Sequence, residues 1–287
     1  MSAKPMETIL ATLAESARAR VAARLKAVPL SALREQAFSL VQADGAAERT
    51  PFAFEQALAA PGLSVIGECK RASPSRGLIA PDFPYLAIAN DYVEGSVAAI
   101  SVLTEPTQFL GDDRYLAEIA ASVPVPVLRK DFIVHEAMIY EAKCLGAAAI
   151  LLIVALKSDA ELRDDLALAH ELGLSALVEA HDEAEIECAL KAGARIVGVN
   201  NRNLHTFEVD ASRAQRLRAL VGNDALFVAE SGLKTVDDIV VQHSAGADAV
   251  LVGEMLMRAP DRVALLKAIR AASATVSSAP SLEGGVR

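Results

Sequence analysis

The segment IGECKRASPSRG, residues 66–77, places a carboxylate and an ammonium two residues apart at the end of a short apolar run. Residues at that spacing project from the same face of a strand, so Glu68 and Lys70 are predicted to point in one direction. Ser73 lies in the polar turn that follows, and its hydroxyl suits an anion. A single Glu-x-Lys pair is more typical of a surface ion pair, worth less than about 1 kcal/mol. The pair becomes a functional candidate through the residues that accompany it.

Three further apolar runs end in the same kind of chemistry. The run PVLRKDF ends on Lys130, SALVEAH reaches Glu179, and RIVGVNNRNL passes through Asn200 to Arg202. A buried ionisable side chain is costly unless it is paired or used. The recurrence of such groups at strand ends predicts one shared site.

To form one site, these groups need a fold that brings the ends of several strands together. From residue 65 onward, eight short β-type runs alternate with helical segments. The runs are VIGECK, AAISVL, PVLRKD, AAILLIV, SALVEA, RIVGVN, LFVAES and AVLVGE. This pattern predicts a single (β/α)8 TIM barrel, an α/β fold whose active sites lie at the carboxyl ends of the strands. Gly followed by Ala or Ser precedes the second, fourth, sixth and eighth runs, at Gly95-Ser96, Gly146-Ala147, Gly193-Ala194 and Gly246-Ala247. We expect each glycine to cap a helix in the left-handed conformation on the opposite face of the barrel.

The chain divides into three parts by pattern. Residues 1–45 are helical by period, with Pro29 between two amphipathic stretches, and are predicted to form a helical extension that caps the barrel. Residues 46–271 contain the barrel. The remaining segment, 272–287, is rich in Ser, Gly and Pro, and we expect a disordered tail.

Composition narrows the class of protein. Hydrophobic residues make up 53% of the 287 residues and aromatic residues only 4%, which favours an α/β enzyme over a β-sandwich. The net charge of −9 and the lack of a basic stripe argue against nucleic acid as a partner. Three cysteines without paired spacing indicate neither a disulfide framework nor a zinc site. No apolar stretch reaches the roughly 18 residues of a membrane span, so we expect no membrane partner. The unpaired cysteines suit a reduced compartment, so we expect a cytoplasmic location.

Two strand ends predicted to neighbour each other carry glycines. Ser231-Gly232 ends the seventh run, and Gly253 ends the eighth. The loops at these positions, with a helix N-terminus behind them, form the recurrent phosphate site of this barrel class. Each glycine alone is equally well explained by a tight turn. Together with Arg202 and Ser73, they favour phosphate binding.

Seven motifs carry a resemblance to a known family. They are IGECKRASPSRG, SVLTEPTQFLG, VLRKDFIV, LVEAHDE, GVNNRNL, VAESGL and DAVLVGEMLM. In this order they resemble the indole-3-glycerol-phosphate synthases of tryptophan biosynthesis, and the resemblance covers nearly the whole chain except the tail. It implies a phosphorylated small-molecule substrate, 1-(2-carboxyphenylamino)-1-deoxyribulose 5-phosphate, which closes to an indole with loss of carbon dioxide and water.

The resemblance also implies roles for the strand-end residues. Lys130 corresponds to the general acid that protonates the ribulose carbonyl, and Glu68 would hold its ammonium in place. Lys70 resembles the lysine that contacts the substrate carboxylate, and it is a second candidate for the acid in dehydration. Glu179 matches the acid/base of the dehydration half, and Asn200 the residue that orients a substrate hydroxyl or carboxylate.

Binding residues follow by the same comparison. The implied phosphate contacts are Ser73, Arg202, Ser231, Gly232, Gly253 and the backbone amide of Glu254, where relatives often have Ser. We expect the Glu254 carboxylate to point away from the phosphate. The implied hydrophobic pocket for the anthranilate ring consists of Phe109, Phe132, Leu204 and Phe207.

The implied chemistry needs positioned acids, a base and a dry pocket, so no metal and no organic cofactor is expected. The five histidines show no paired ligand spacing, and we expect surface or loop positions for His135, His170, His181, His205 and His243. Among these, His181 lies nearest in sequence to a predicted catalytic residue. The resemblance leaves room for contacts with other enzymes of the tryptophan pathway.

Two alternatives stay open at this point. Another phosphate-sugar barrel, such as a phosphoribosylanthranilate isomerase, would share the anion site but has no use for two strand-end lysines. A catalytically silent barrel that binds a ligand or docks other enzymes should have lost some of the strand-end charged residues. Glu68, Lys70, Lys130 and Glu179 are all present.

Overall fold

The computed structural model describes residues 9–44, 50–202, 210 and 212–277. Within them, eight parallel strands close into a barrel. The strands are β1 (Ser64–Cys69), β2 (Ala99–Leu103), β3 (Val127–Lys130), β4 (Ala149–Ile153), β5 (Ser175–Ala180), β6 (Ile196–Asn200), β7 (Leu226–Glu230) and β8 (Ala249–Val252). β1 pairs with both β2 and β8, which closes the ring. The predicted (β/α)8 barrel is confirmed, and each of the eight predicted runs overlaps one strand.

Helices surround the strands and join them. They are α3 (Ala53–Leu58), α4 (Tyr85–Glu94), α5 (Asp113–Ser122), α6 (Glu136–Cys144), α7 (Asp159–Glu171), α8 (Glu183–Ala192), α9 (Arg213–Val221), α10 (Val236–Ser244), α11 (Glu254–Arg258) and α12 (Arg262–Ser277). Side chains cap several of them. Ser158 and Glu161 form a reciprocal capping box on α7, and Asp182 accepts a hydrogen bond from the backbone of Glu185 on α8.

Two apolar clusters hold the barrel together. One fills its interior with strand residues such as Ile66, Leu128, Leu177 and Val228. The other lies between the strands and the helices and is much larger. Because both faces of each strand are buried, the strands read as continuous apolar runs, so the few polar residues at their ends stand out in the sequence.

The glycine repeat is confirmed in three places and wrong in one. Gly146, Gly193 and Gly246 have φ of 83°, 92° and 92°, in the left-handed region. Gly95 has φ −73°, and Ser96 takes the left-handed conformation instead, with φ 64°. A Cβ at Gly95 would lie 2.4 Å from Cδ1 of Leu266 on α12. Close packing against that helix therefore explains this glycine.

Two N-terminal helices precede the barrel, on either side of Pro29 as predicted: α1 (Ile9–Ala27) and α2 (Leu30–Asp44). Arg20 of α1 makes a two-pronged ion pair with Asp131, with nitrogen–oxygen distances of 2.7 and 3.1 Å. Asp131 is buried and directly follows Lys130. The first helix is thus bound next to a predicted catalytic residue.

At the other end, α12 runs to Ser277. The first six residues of the predicted disordered tail are therefore helical, and the boundary expected at 271/272 lies within a helix. Ala-rich composition sustains the helix where the serines suggested a tail. No helix in the described part of the chain has the length and apolarity to span a membrane.

Candidate active site

A cavity of about 1060 Å³ lies at the carboxyl ends of the barrel strands. Every predicted site residue in the described ranges lines it: Glu68, Lys70, Ser73, Phe109, Lys130, Phe132, Glu179, Asn200, Arg202, Ser231, Gly232, Gly253 and Glu254. Leu204 and Phe207, also predicted for the pocket, and His205 lie outside the described residues. Residues as far apart in sequence as Glu68 and Glu254 therefore meet in one cavity.

Lys130, the last residue of β3, lies between two buried carboxylates. Its Nζ is 2.5 Å from Oε2 of Glu230 and 3.7 Å from Oε2 of Glu179. Burial disfavours the ammonium, but the negative charges of Glu230, Glu179 and Glu68, in that order of strength, outweigh burial. They raise the pKa of Lys130. The lysine is therefore held as a charged acid at neutral pH.

Glu230, at the end of β7, was not among the predicted site residues. Its side chain is 1% exposed. Burial, with the charges of Glu179 and Glu68, raises the pKa of Glu230 to about 7 despite the attraction of Lys130. The run LFVAE ends on an acid after apolar residues, which is the same signal that identified Glu179. The sequence prediction named Ser231 and Gly232, which directly follow Glu230, and missed Glu230 itself.

Glu68 and Lys70 form an ion pair with each other. Burial raises the pKa of Glu68, but the positive charges of Lys70, Lys130 and Arg202 outweigh burial and lower it. The predicted role of Glu68 in holding Lys130 is corrected here, because the carboxylates that contact Lys130 are Glu230 and Glu179. Glu68 acts on Lys130 only through its charge.

Gly253 leaves room for this ion pair. A Cβ at Gly253 would lie 2.3 Å from Oε1 of Glu68 and 2.9 Å from Nζ of Lys70. These distances are too short for a methyl group, so the absence of a side chain lets the pair approach the end of β8.

Two arginines make a positive patch on one side of the cavity. Arg202 is half-buried, and burial together with the nearby Arg76 lowers the pKa of Arg202. The side chain of Asn200 accepts a hydrogen bond from the backbone N–H of Arg202, 3.0 Å away, which anchors this loop to β6. Neighbouring guanidinium groups repel each other, so a bound anion would relieve the repulsion.

The Glu254 carboxylate lies between two arginines. Its oxygens are 3.2 Å from Nε of Arg76 and 3.0 Å from Nε of Arg258. Arg76 and Arg258 also line the cavity, although neither was predicted. The Glu254 carboxylate is thus held by ion pairs with two arginines.

The turn after β7 is strained. Ser231 has φ 64° and Gly232 φ 79°, two left-handed residues in succession. Such a conformation is uncommon for a residue with a side chain and costs free energy unless its surroundings hold it. The buried Asn201 does so by donating from its side-chain amide to the carbonyl of Ser231, 3.2 Å away.

An apolar wall faces the charged groups. The rings of Phe109 and Phe132 lie 6.2 Å apart. Phe109 is positioned by the buried Glu105, whose carboxylate accepts the backbone N–H of Phe109 at 3.0 Å. Residues of α1 complete the wall: Ile9, Leu10 and Leu13. These contacts were not predicted, because the helix is distant in sequence from every motif.

His181 lies beside a predicted catalytic carboxylate. It lies in the loop after β5, as predicted, but its side chain is only 15% exposed, and its Nε2 is 3.5 Å from Oε1 of Glu179.

No group of three or more His, Cys, Asp or Glu side chains arranged to hold a metal ion was found among the described residues.

Comparison with known proteins agrees with this geometry. The model of the family "Indole-3-glycerol phosphate synthase" matches residues 10–269. The chain belongs to the indole-3-glycerol phosphate synthase family. The match begins in α1 and ends in α12, so the N-terminal helices are part of the family's pattern.

Individual relatives carry the same name. An indole-3-glycerol phosphate synthase of Ruminiclostridium cellulolyticum is 49% identical over 262 residues, which cover 91% of this chain and 98% of the relative. One of Lactiplantibacillus plantarum is 53% identical over 218 residues, covering 76% and 84%. Among solved structures, the 3-hexulose-6-phosphate synthase of Salmonella typhimurium aligns with a TM-score of 0.60 at 16% identity, covering 75% of this chain and 100% of that one. At that identity the likeness supports the barrel fold alone.

Proposed function

We propose that this chain is a carboxy-lyase that converts 1-(2-carboxyphenylamino)-1-deoxyribulose 5-phosphate to indole-3-glycerol phosphate, carbon dioxide and water. The observation that carries the proposal is the buried ammonium of Lys130 between two carboxylates, in a cavity that also holds a separate pair of arginines. An acid kept charged in a dry site is what ring closure onto a carbonyl needs. A separate cationic patch is what a phosphorylated substrate needs.

The two ends of the cavity suit the two ends of the substrate. Arg202, with Ser73 and the turn at Ser231-Gly232, would hold the phosphate. Phe109 and Phe132 would pack against the anthranilate ring, which is apolar and planar. Lys70 would pair with the ring carboxylate. The ribulose carbonyl then falls between these ends, near Lys130.

Ring closure joins the carboxylate-bearing ring carbon to the carbonyl carbon of the ribulose. The electron pair of the carbonyl bond moves to its oxygen, and Lys130 gives that oxygen a proton. Loss of carbon dioxide returns an electron pair to the ring and restores its aromaticity. The fixed ammonium stabilises the charge that develops on oxygen during the first step.

Dehydration completes the indole. The new hydroxyl leaves as water with a proton from Lys70, or from Lys130 once that lysine has regained a proton. Glu179 would remove the proton from the carbon next to nitrogen, and the ring double bond forms. Asn200 would orient the substrate during these steps.

The test is to mix the purified chain with the carboxyphenylamino-deoxyribulose phosphate and to follow indole fluorescence, without added metal or cofactor. Fluorescence that rises with turnover at micromolar substrate supports the proposal. Folded protein that binds the substrate without forming indole would refute the catalytic proposal. Absence of binding would refute the phosphate site as well.

A further inference from the structure

His181 sits between two carboxylates, and one of them belongs to the predicted catalytic set. Its Nδ1 is 3.1 Å from Oε2 of Glu185, and its Nε2 is 3.5 Å from Oε1 of Glu179. His181 does not line the cavity, whereas Glu179 does. Any effect of the histidine on the reaction would therefore pass through Glu179.

Glu185 fixes the position of the ring. The same carboxylate oxygen, Oε2, accepts the backbone N–H of His181 at 2.7 Å and faces the ring Nδ1. Glu185 is itself held at the start of α8, where its backbone N–H donates to Asp182 at 2.9 Å. The ring orientation is thus determined by the turn between β5 and α8.

The arrangement also decides which nitrogens carry protons. An ionised carboxylate only accepts hydrogen bonds, so Nδ1 must carry a proton toward Glu185. In the neutral form, Nε2 would then present its lone pair to the carboxylate of Glu179, which is repulsive. In the imidazolium form, both nitrogens face a negative charge. The geometry therefore favours the charged ring.

The surrounding charges act in the same direction. The carboxylates next to the ring are Glu179 on β5 and Glu185 on α8, and Glu230 on β7 acts on it through its charge. Burial lowers the pKa of His181, but the hydrogen bond to Glu185 and the charges of all three carboxylates outweigh it and raise the pKa. The charged ring is present at low pH and is lost as the pH rises through this raised value.

We propose that His181 is a positioning residue, which holds the carboxylate of Glu179 in its orientation while Glu185 holds His181. The role deepens the proposed function and rests on it, because it matters for catalysis only if Glu179 acts as the acid/base. Lys130 contacts Oε2 of Glu179 and His181 faces Oε1, so the two cations hold the two oxygens of one carboxylate.

The kinetic test compares His181→Asn with wild type in a profile of kcat against pH. We expect kcat at pH 7 to fall about 10-fold, because the variant loses the cation whose Nε2 lies 3.5 Å from Oε1 of Glu179. We also expect the acidic limb of the profile to move to higher pH, with KM changed less than about two-fold. A residue that only filled space would lower the whole profile without moving its limb, and that result would overturn the proposal.

Two further variants keep the test decisive. Glu185→Gln leaves the imidazole in place and removes the anion that supports its charge, so the acidic limb should move in the same direction by less. It replaces His181→Asn if that variant fails to fold. His170→Asn is the matched control, because His170 packs against Phe52 and does not line the cavity. Its profile should superimpose on that of wild type.

A second measurement is independent of turnover. The imidazole of His181, followed by NMR, should titrate above the value of an ordinary histidine and should return toward that value in both Glu179→Gln and Glu185→Gln. If wild type forms no indole but this coupling is present, the proposed function fails and the coupling stands. If wild type forms indole while neither the titration nor the profile responds, the positioning role is refuted.

Discussion

Replacing Lys130 should lower both turnover and stability. In Lys130→Met, the ammonium that would protonate the carbonyl is lost, so turnover should fall about 10²- to 10⁴-fold, the usual contribution of a positioned general acid. The change also leaves Glu230 and Glu179 buried without the cation that lies 2.5 and 3.7 Å from them. Breaking a buried ion pair by removing one partner typically costs about 3–5 kcal/mol of unfolding free energy.

The loss of stability should depend on pH with a definite sign. Glu230 already has its pKa raised to about 7, and removing Lys130 raises it further. A carboxyl group whose folded pKa is raised contributes stability at low pH, and this contribution is lost as pH rises through the folded value. Lys130→Met should therefore be much less stable than wild type at pH 8 and closer to it at pH 6.

A double variant isolates the cause. Lys130→Met combined with Glu230→Gln removes one buried charge together with its partner, so most of the stability at pH 8 should return while turnover stays low. The assays are urea unfolding at pH 6 and pH 8 and indole fluorescence with the substrate. A stability loss that is equal at both pH values, or turnover near that of wild type, would refute this account of Lys130.

Three other predictions follow from separate contacts. Arg202→Ala should raise KM with little change in kcat, because the phosphate is remote from the reacting bonds; a fall in kcat alone, measured by indole fluorescence, would contradict this. Gly95→Ala should lower the unfolding free energy by about 1–3 kcal/mol, because its methyl group would meet Leu266; an unchanged urea midpoint would show that α12 shifts freely. Arg20→Ala should cost about 1.5–3 kcal/mol by removing two charged hydrogen bonds from the buried Asp131, which keeps Arg129 3.7 Å away. An exposed change such as Arg18→Ala should cost less than about 0.5 kcal/mol.

Much of the fold could be predicted because the barrel strands are buried on both faces. Continuous apolar runs of similar length are conspicuous, and their regular alternation with helices indicates the topology. The glycine at residue 95 shows where this reasoning fails. Its neighbour across the fold, Leu266, is distant in sequence, so a packing requirement was mistaken for a helix cap.

The candidate site was predicted in outline for the same reason. Polar groups at the ends of apolar runs, such as Lys130 and Glu179, must meet at one face of the barrel. Their partners could not be assigned, because the pairing of side chains depends on the register and tilt of the strands. Glu68 was expected to hold Lys130, but the barrel brings Glu230 closer.

The amino-acid sequence by itself determined the barrel, the face that carries the chemistry and the types of residue available there, since these follow from local periodicity and from the cost of burying charge. Only the tertiary structure decided which charges neutralise one another, that α1 forms part of the cavity wall, and that His181 faces Glu179. Electrostatic interactions depend on distances between side chains far apart in the chain, and folding alone sets those distances.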